Sequence, residues 1–235
     1  MSFHVSGSGS VAIILEAGSG GDHRNWSLVQ PLLNPFGRVV SYDRLDYGGS
    51  GRSNRPRSAA VVAEQLREGL SRAGVRPPFL LIGHSYGGAL VRVFASKYPR
   101  DVIGLVLVDP ALENFYTRAT VEAPAAYLAA LEEALADDDK SASEALKREY
   151  LAYETSMVQT RVTTLPPGDR TILISAAQQL QGNQAMQRLW LDEQAKWAKK
   201  VGAQHVIVDT GHNIPRSKPQ AVVSAVRSLL SRSRP

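Results

Sequence analysis

No cysteine occurs among the 235 residues, so disulfides, thiolate nucleophiles and cysteine-based zinc sites are all excluded. No apolar stretch approaches the ~20 residues that a membrane-spanning helix needs. The start, Met1-Ser2-Phe3-His4-Val5, also lacks a charged segment leading into an apolar one. A soluble, cytoplasmic protein with no membrane partner is expected. Lys and Arg number 27 against 22 Asp and Glu, yet no basic run is interleaved with aromatics, which argues against a nucleic-acid partner. The charge is segregated: residues 111–165 hold ten acids and five bases, leaving −5 there and +10 on the remainder. An acidic insert on a basic body reads as solvated surface. The glycine-rich Gly18-Ser19-Gly20-Gly21 has neither the G-x-G-x-x-G spacing nor a phosphate-binding lysine, which argues against a nucleotide site.

What is present is a series of strand-sized apolar runs: Val11–Leu15, Arg38–Tyr42, Phe79–Ile82, Val102–Val108, Thr171–Ala176 and His205–Val208. Helical patterns lie between most of them, at Ala59–Gly74 (with Val62, Leu66 and Leu70 on one stripe), Leu90–Tyr98, Met186–Gly202 and Gln220–Leu230. Strands apolar on both faces and alternating with helices predict an α/β fold, a mostly parallel twisted sheet with helices on both faces. Phe3–Val5 is expected as an antiparallel edge strand, joined through Gly7-Ser8-Gly9-Ser10.

One interval breaks the alternation. From Ala111 to Leu165 no strand-like run occurs, while Tyr127–Ala136 and Ala142–Thr155 read as helices separated by Asp137-Asp138-Asp139-Lys140. An insertion at the carboxyl edge of a parallel sheet lies where ligands bind in such folds. The expected organisation is a core domain of residues 1–110 and 166–235 with a helical cap, 111–165, inserted in it; helices packed on the sheet's flank without a gating role are the alternative. Pro166-Pro167-Gly168 returns the chain to the sheet. The cap holds Tyr116, Tyr127, Leu128, Leu131, Tyr150, Tyr153 and Met157, an apolar set able to roof a site or to pack the cap itself.

The chemistry centres on Phe79-Leu80-Leu81-Ile82-Gly83-His84-Ser85-Tyr86-Gly87-Gly88, an apolar run feeding a G-x-S-x-G pentapeptide and then a helical pattern. A strand turning sharply into a helix strains the serine backbone and needs glycine on either side, which makes Ser85 the candidate nucleophile. A serine hydroxyl needs a base to take its proton, and neutral histidine suits that task. His84 is expected to point away from the catalytic face, His4 and His23 lie far upstream, and His205 opens a strand. His212, in Thr210-Gly211-His212-Asn213-Ile214-Pro215 just past a strand, is the candidate base.

Together, Gly83–Gly88, Tyr42-Asp43-Arg44 with Gly48-Gly49-Ser50-Gly51-Arg52-Ser53, Leu105-Val106-Leu107-Val108-Asp109-Pro110 and Gly211-His212 resemble the α/β-hydrolase superfamily in order and spacing, over all but the cap. The resemblance implies an eight-stranded-type sheet, here short of its first strand, and a catalytic order of serine, acid, histidine. It places the acid after the penultimate strand, where this chain has Ala177-Gln178-Gln179-Leu180-Gln181 and no carboxylate. Some relatives carry it one strand earlier, and there stands Asp109, the candidate acid, whose alternative role is to cap the turn before Pro110. Asp192 is the reserve, in a helical pattern, and Asp209 reads as a loop holder. The resemblance also implies oxyanion donors at the backbone N–H groups of Tyr86 and, after Val11–Leu15, Ser19; the family's His-Gly pair is replaced here by Glu16-Ala17-Gly18. Asp43 and Arg44 are expected to shape a loop, and Trp26 to line the pocket or fill the core.

These residues point to a serine hydrolase cleaving a small-molecule carboxylic ester of short to medium acyl length, with no metal and no organic cofactor. The serine argues against haloalkane dehalogenase and epoxide hydrolase chemistry, which uses an aspartate nucleophile in this superfamily. Lactone, amide or carbon–carbon hydrolysis, acyl transfer, cofactor-free oxygenation, and a ligand-sensing module with little turnover remain open on the same residues.

Overall fold

The computed structural model describes residues 1–129, 144–180 and 182–232. Among these, seven strands form one sheet: β1 (Ser2–Ser6), β2 (Ala12–Glu16), β3 (Arg38–Asp43), β4 (Phe79–His84), β5 (Val102–Val108), β6 (Thr171–Ala176) and β7 (Gln204–Val208). Their order in space is β1-β3-β2-β4-β5-β6-β7. Only β1 runs antiparallel, with Ser2 opposite Asp43 and Ser6 opposite Val39, and the other pairings are parallel.

The two-sided apolar character of the strands has a direct structural expression, because alternate residues leave opposite faces. Ile14, Val40, Leu81, Leu105 and Leu107 pack with Val62, Leu66 and Leu70 of the helix Ala59–Arg72 and with Leu90 and Phe94 of the helix Tyr86–Lys97. Ile13, Leu15, Val39, Leu80, Ile82 and Val106 face the other way, onto Trp26 and onto Val222, Val226 and Leu229 of the helix Pro219–Arg232. Trp26 is therefore core and takes no part in a pocket wall. A helix is marked over Gln184–Val201, its Trp197 joining the first face and its Met186, Leu189 and Trp190 packing with Phe115 and Ala119.

Between β5 and β6 the described residues are helical at Phe115–Glu122, 124–129, Glu144–Leu151 and Tyr153–Arg161. The single helix expected over Ala142–Thr155 is two, broken at Ala152. Phe115–Glu122 escapes the sequence reading, since Thr117, Thr120 and Val121 are β-branched and weaken its helical signal. The helix expected at Tyr127–Ala136 is described only as far as residue 129, and Leu131 and Asp137–Lys140 lie outside the described residues. The segments that bear Ser19, Ser85, Asp109 and His212 leave the carboxyl ends of β2, β4, β5 and β7, the edge at which parallel sheets bind ligands.

Candidate active site

Ser85 follows β4 directly and stands at φ 54, ψ −123, in the left-handed half of backbone space that a non-glycine residue avoids. Two glycines make the bend possible. A Cβ on Gly83 would lie 2.4 Å from the carbonyl oxygen of Gly87, and one on Gly87 would lie 2.5 Å from that of Ala17. The Ser85 N–H donates to Val108 O at 3.0 Å, and the Ser85 carbonyl accepts from Gly88 N and Ala111 N, so the elbow is tied to β5 and to the segment beyond it.

Asp109 follows β5 directly, also at positive φ, and is fully buried. Its N–H donates to Ile174 O at 2.6 Å, and its Oδ1 accepts from Ala176 N at 3.0 Å, which fastens it across the end of β6. Oδ1 also accepts from Trp190 Nε1 at 2.8 Å and Gln194 Nε2 at 3.3 Å. Oδ2 is left for His212, whose Nδ1 stands 2.7 Å away. The carboxylate thus reaches over β6, the strand whose own exit carries no acid, to the loop after β7. Trp190 and Gln194 are functional neighbours that sequence reasoning missed; their i, i+4 spacing marks one helix face but not what that face touches.

His84 does not point away from this cluster. It is the last residue of β4 and shares a face with Leu80 and Ile82, the side on which the loop carrying His212 runs into Ile214. Its Nε2 lies 2.9 Å from the His212 carbonyl oxygen and the two rings are 4.6 Å apart. Burial, with the nearby His212 ring second, pushes the His84 imidazole down to about 3, so it is neutral and Nε2–H donates to that carbonyl.

The turn after β2 is held by Arg44. This guanidinium donates to Ala17 O at 2.9 Å and Gly18 O at 2.8 Å, to Glu16 Oε1 at 2.7 Å, and to Glu149 Oε1 at 2.8 Å. The peptide joining Gly18 to Ser19 is planar and trans, so pinning its carbonyl on Arg44 directs the Ser19 N–H the opposite way. Ser19 lines the central cavity. The N–H of Tyr86, first in its helix, is among the donors that a helix leaves without an internal acceptor. Asp43 shapes the neighbouring loop, accepting from Gly49 N at 2.8 Å and from His23 N at 3.0 Å.

Ser85, His212, Ser19 and Tyr86 open onto one cavity of ≈ 410 Å³, walled by Tyr116, Tyr127, Tyr150, Tyr153, Leu180, Met186 and Trp190, with Gln179 among the polar members. The reserve acid stands elsewhere, Asp192 pairing with Arg118 and Lys196, and Asp209, expected to hold its loop, accepts from Gln178 Nε2. His205 meets Ser175 Oγ at 2.7 Å. Among the described residues, His4, His23 and Asp43 are the group able to offer metal ligands within 4.8 Å of one another. Their two imidazoles stack 3.6 Å apart and nearly parallel, so their in-plane lone pairs do not converge on one ion as they stand. No described helix is long and apolar enough to cross a membrane.

The family model described as the alpha/beta hydrolase family matches residues 13–225. The uncharacterized protein YqjL of Bacillus subtilis is 32% identical over 228 residues, covering 95% of this chain and 85% of that one. Among solved structures, a thermophilic esterase from Thermogutta terrifontis superposes with a TM-score of 0.62 at 18% identity, over 98% of this chain and 93% of that one. The epoxide hydrolase CorEH superposes with a TM-score of 0.65 at 17% identity, over 99% and 95%. Sheet order, strained serine turn and family match agree, and the chain belongs to the α/β hydrolase family.

Proposed function

We propose that this chain is a serine hydrolase of the carboxylesterase type, with Ser85 as nucleophile, His212 as general base and Asp109 as the acid behind it. The observation that carries the reading is the 2.7 Å contact between His212 Nδ1 and Asp109 Oδ2, made by a histidine that shares its cavity with the strained Ser85. A carboxylate on Nδ1 keeps the proton on that nitrogen and leaves Nε2 free to accept one.

In this mechanism Ser85 Oγ attacks the ester carbonyl as its proton passes to His212, and Asp109 stabilises the imidazolium. The oxyanion is held by the N–H groups of Ser19 and Tyr86, the first aimed by the Arg44 contacts and the second by its place in the helix. The carbon–oxygen bond to the alcohol then breaks, with the proton of His212 going to the leaving oxygen. Water, deprotonated by His212, attacks the acyl-enzyme, and Ser85 recovers its proton as the carboxylic acid leaves.

Residues 111–165 act as a cap in this reading, since Tyr116, Tyr127, Tyr150 and Tyr153 all wall the cavity. Its ≈ 410 Å³ lies toward the small end of ligand pockets, which favours short to medium acyl chains. Ser85→Ala is expected to lower turnover of p-nitrophenyl butyrate by roughly 10⁴ or more and to abolish labelling by a fluorophosphonate probe. Wild-type turnover in that variant would refute the assignment, and labelling without turnover in the unaltered protein would favour a ligand sensor.

A further inference from the structure

Gln179 occupies the stretch after β6 where the family pattern puts an acid, and it is absorbed by none of the steps above. Its side chain lines the catalytic cavity, and its Oε1 is buried with no hydrogen-bond partner among the described residues. Buried polar atoms in folded proteins are nearly always paired, so an orphaned oxygen on a cavity-lining side chain, one torsion from presenting its amide to that cavity, is a group that a bound ligand can pair. Among the described residues, the neighbouring wall supplies no partner: Leu180 and Met186 are apolar, and the indole N–H of Trp190 is spent on Asp109.

Position tells which part of a substrate meets this amide. Ala177 N donates to Val208 O at 2.9 Å and Gln178 N to Thr210 O at 3.0 Å, so the loop bearing Gln179 is laced to the loop bearing His212. The leaving alcohol must take its proton from His212, which places that alcohol on the same side of the cavity. An amide end turns about its last torsion and presents either oxygen or nitrogen, and a hydroxyl, being both donor and acceptor, satisfies whichever faces it. Among the described residues, the cavity is lined by no histidine other than His212 and by no lysine, arginine, aspartate or glutamate, so a charged group on the substrate would find no counter-charge among them.

We propose that Gln179 anchors the alcohol portion of the substrate, and that the site takes esters whose leaving alcohol carries a further, neutral hydroxyl. The inference rests on the reading of Ser85 and His212 given under the proposed function, and it adds a substrate class and a specificity-determining residue to it.

The test compares 2-hydroxyethyl butyrate with propyl butyrate, which differ by a hydroxyl in place of a methyl group. The ratio of their kcat/KM values is divided by the ratio of their alkaline hydrolysis rates, which removes intrinsic reactivity. The unaltered protein is expected to favour the hydroxyethyl ester about tenfold on this corrected scale. Gln179→Leu and the closer-shaped Gln179→Met, each checked for folding by thermal unfolding, should bring the corrected ratio to about one. A corrected ratio near one in the unaltered protein overturns the role of Gln179 while leaving the esterase reading standing, and so does a tenfold preference that survives in both variants. Turnover of neither ester overturns the substrate class, and fluorophosphonate labelling of Ser85 then decides whether the serine hydrolase reading falls with it.

Discussion

Arg44 Nε donates to Glu149 Oε1 at 2.8 Å, joining the end of β3 to a helix of the inserted interval, with both side chains at most 2% exposed. Glu149 also accepts from Arg57 Nη2 at 2.9 Å and from Gly20 N at 3.2 Å, so one carboxylate ties that helix to the turn that carries Ser19. Burial opposes its charge, but Arg44 and Arg57 outweigh burial and hold the carboxyl below its ordinary value of 4.5. Glu149→Ala leaves two buried guanidinium groups short of a partner, and a loss of roughly 3–5 kcal/mol is expected in urea unfolding at pH 7. A depressed acid stabilises the fold above its unfolded pKa and ceases to do so as pH falls through the folded value. The gap between the two proteins should therefore be full at neutral pH and narrow below about 4.5. A loss under about 1 kcal/mol at pH 7 would show that the network contributes specificity without stability.

His84 makes a second pH-linked prediction with a different window. Its imidazole is neutral when folded, with burial pushing it down to about 3, whereas an unfolded histidine titrates near 6.5. Between these values the unfolded chain binds the extra proton, so the contribution of His84 is present above about 6.5 and drains away as pH falls toward 3. His84→Gln keeps a donor for the His212 carbonyl and removes the titration. The stability difference between wild type and variant should rise from pH 4.5 to 6.5 and then level off in urea titrations. A difference independent of pH across that range would exclude the linkage.

The sheet and the serine turn at its carboxyl edge are legible because each leaves a local mark. Strands buried on both faces read as unbroken apolar runs, and Val102–Val108 and Thr171–Ala176 were delimited to the residue. Ser85 was legible because its strained turn demands a particular local glycine spacing. Asp109 was legible only through the resemblance, since its 103-residue separation from His212 leaves no local trace. The partners of that acid and of Arg44 were not legible at all. Trp190, Gln194, Glu149 and Arg57 come together from separate elements, and nothing in the pattern of one helix says which buried polar group another will meet. The direction of His84 is not legible, because the extent of β4 decides its face and β4 runs two residues beyond the apolar run that announces it.

The glycines of the serine turn are expected to tolerate no side chain. In Gly83→Ala the new methyl group would sit 2.4 Å from the Gly87 carbonyl oxygen, a backbone atom that cannot swing aside. Overpacking of this kind costs roughly 1–3 kcal/mol, and moving the elbow also displaces Ser85. The expected result is a lower unfolding midpoint together with a loss of ester turnover larger than the stability change explains. A variant as active and stable as wild type would mean that the turn relaxes freely, contrary to the close approach of its backbone atoms.

Asp109→Asn separates the proposed catalytic role of this acid from its structural one. Asn retains a carbonyl oxygen for Ala176 N–H and Trp190 Nε1–H, so the tie across β6 survives. Its amide nitrogen would then stand where Oδ2 meets His212 Nδ1, and an N–H donated to Nδ1 forces the ring proton onto Nε2. A histidine in that tautomer cannot take the proton of a serine, and a fall of roughly 10⁴ in kcat with little change in unfolding midpoint is expected. Asp192→Asn is the matched comparison, because Asp192 is half-exposed on a helix and is occupied by Arg118 and Lys196. Its turnover should stay near wild type, as loss of an exposed ion pair contributes at most about 1 kcal/mol. If Asp192→Asn were the inactive variant and Asp109→Asn the active one, the acid would have been assigned to the wrong element, and the contact between His212 and Asp109 would be structural.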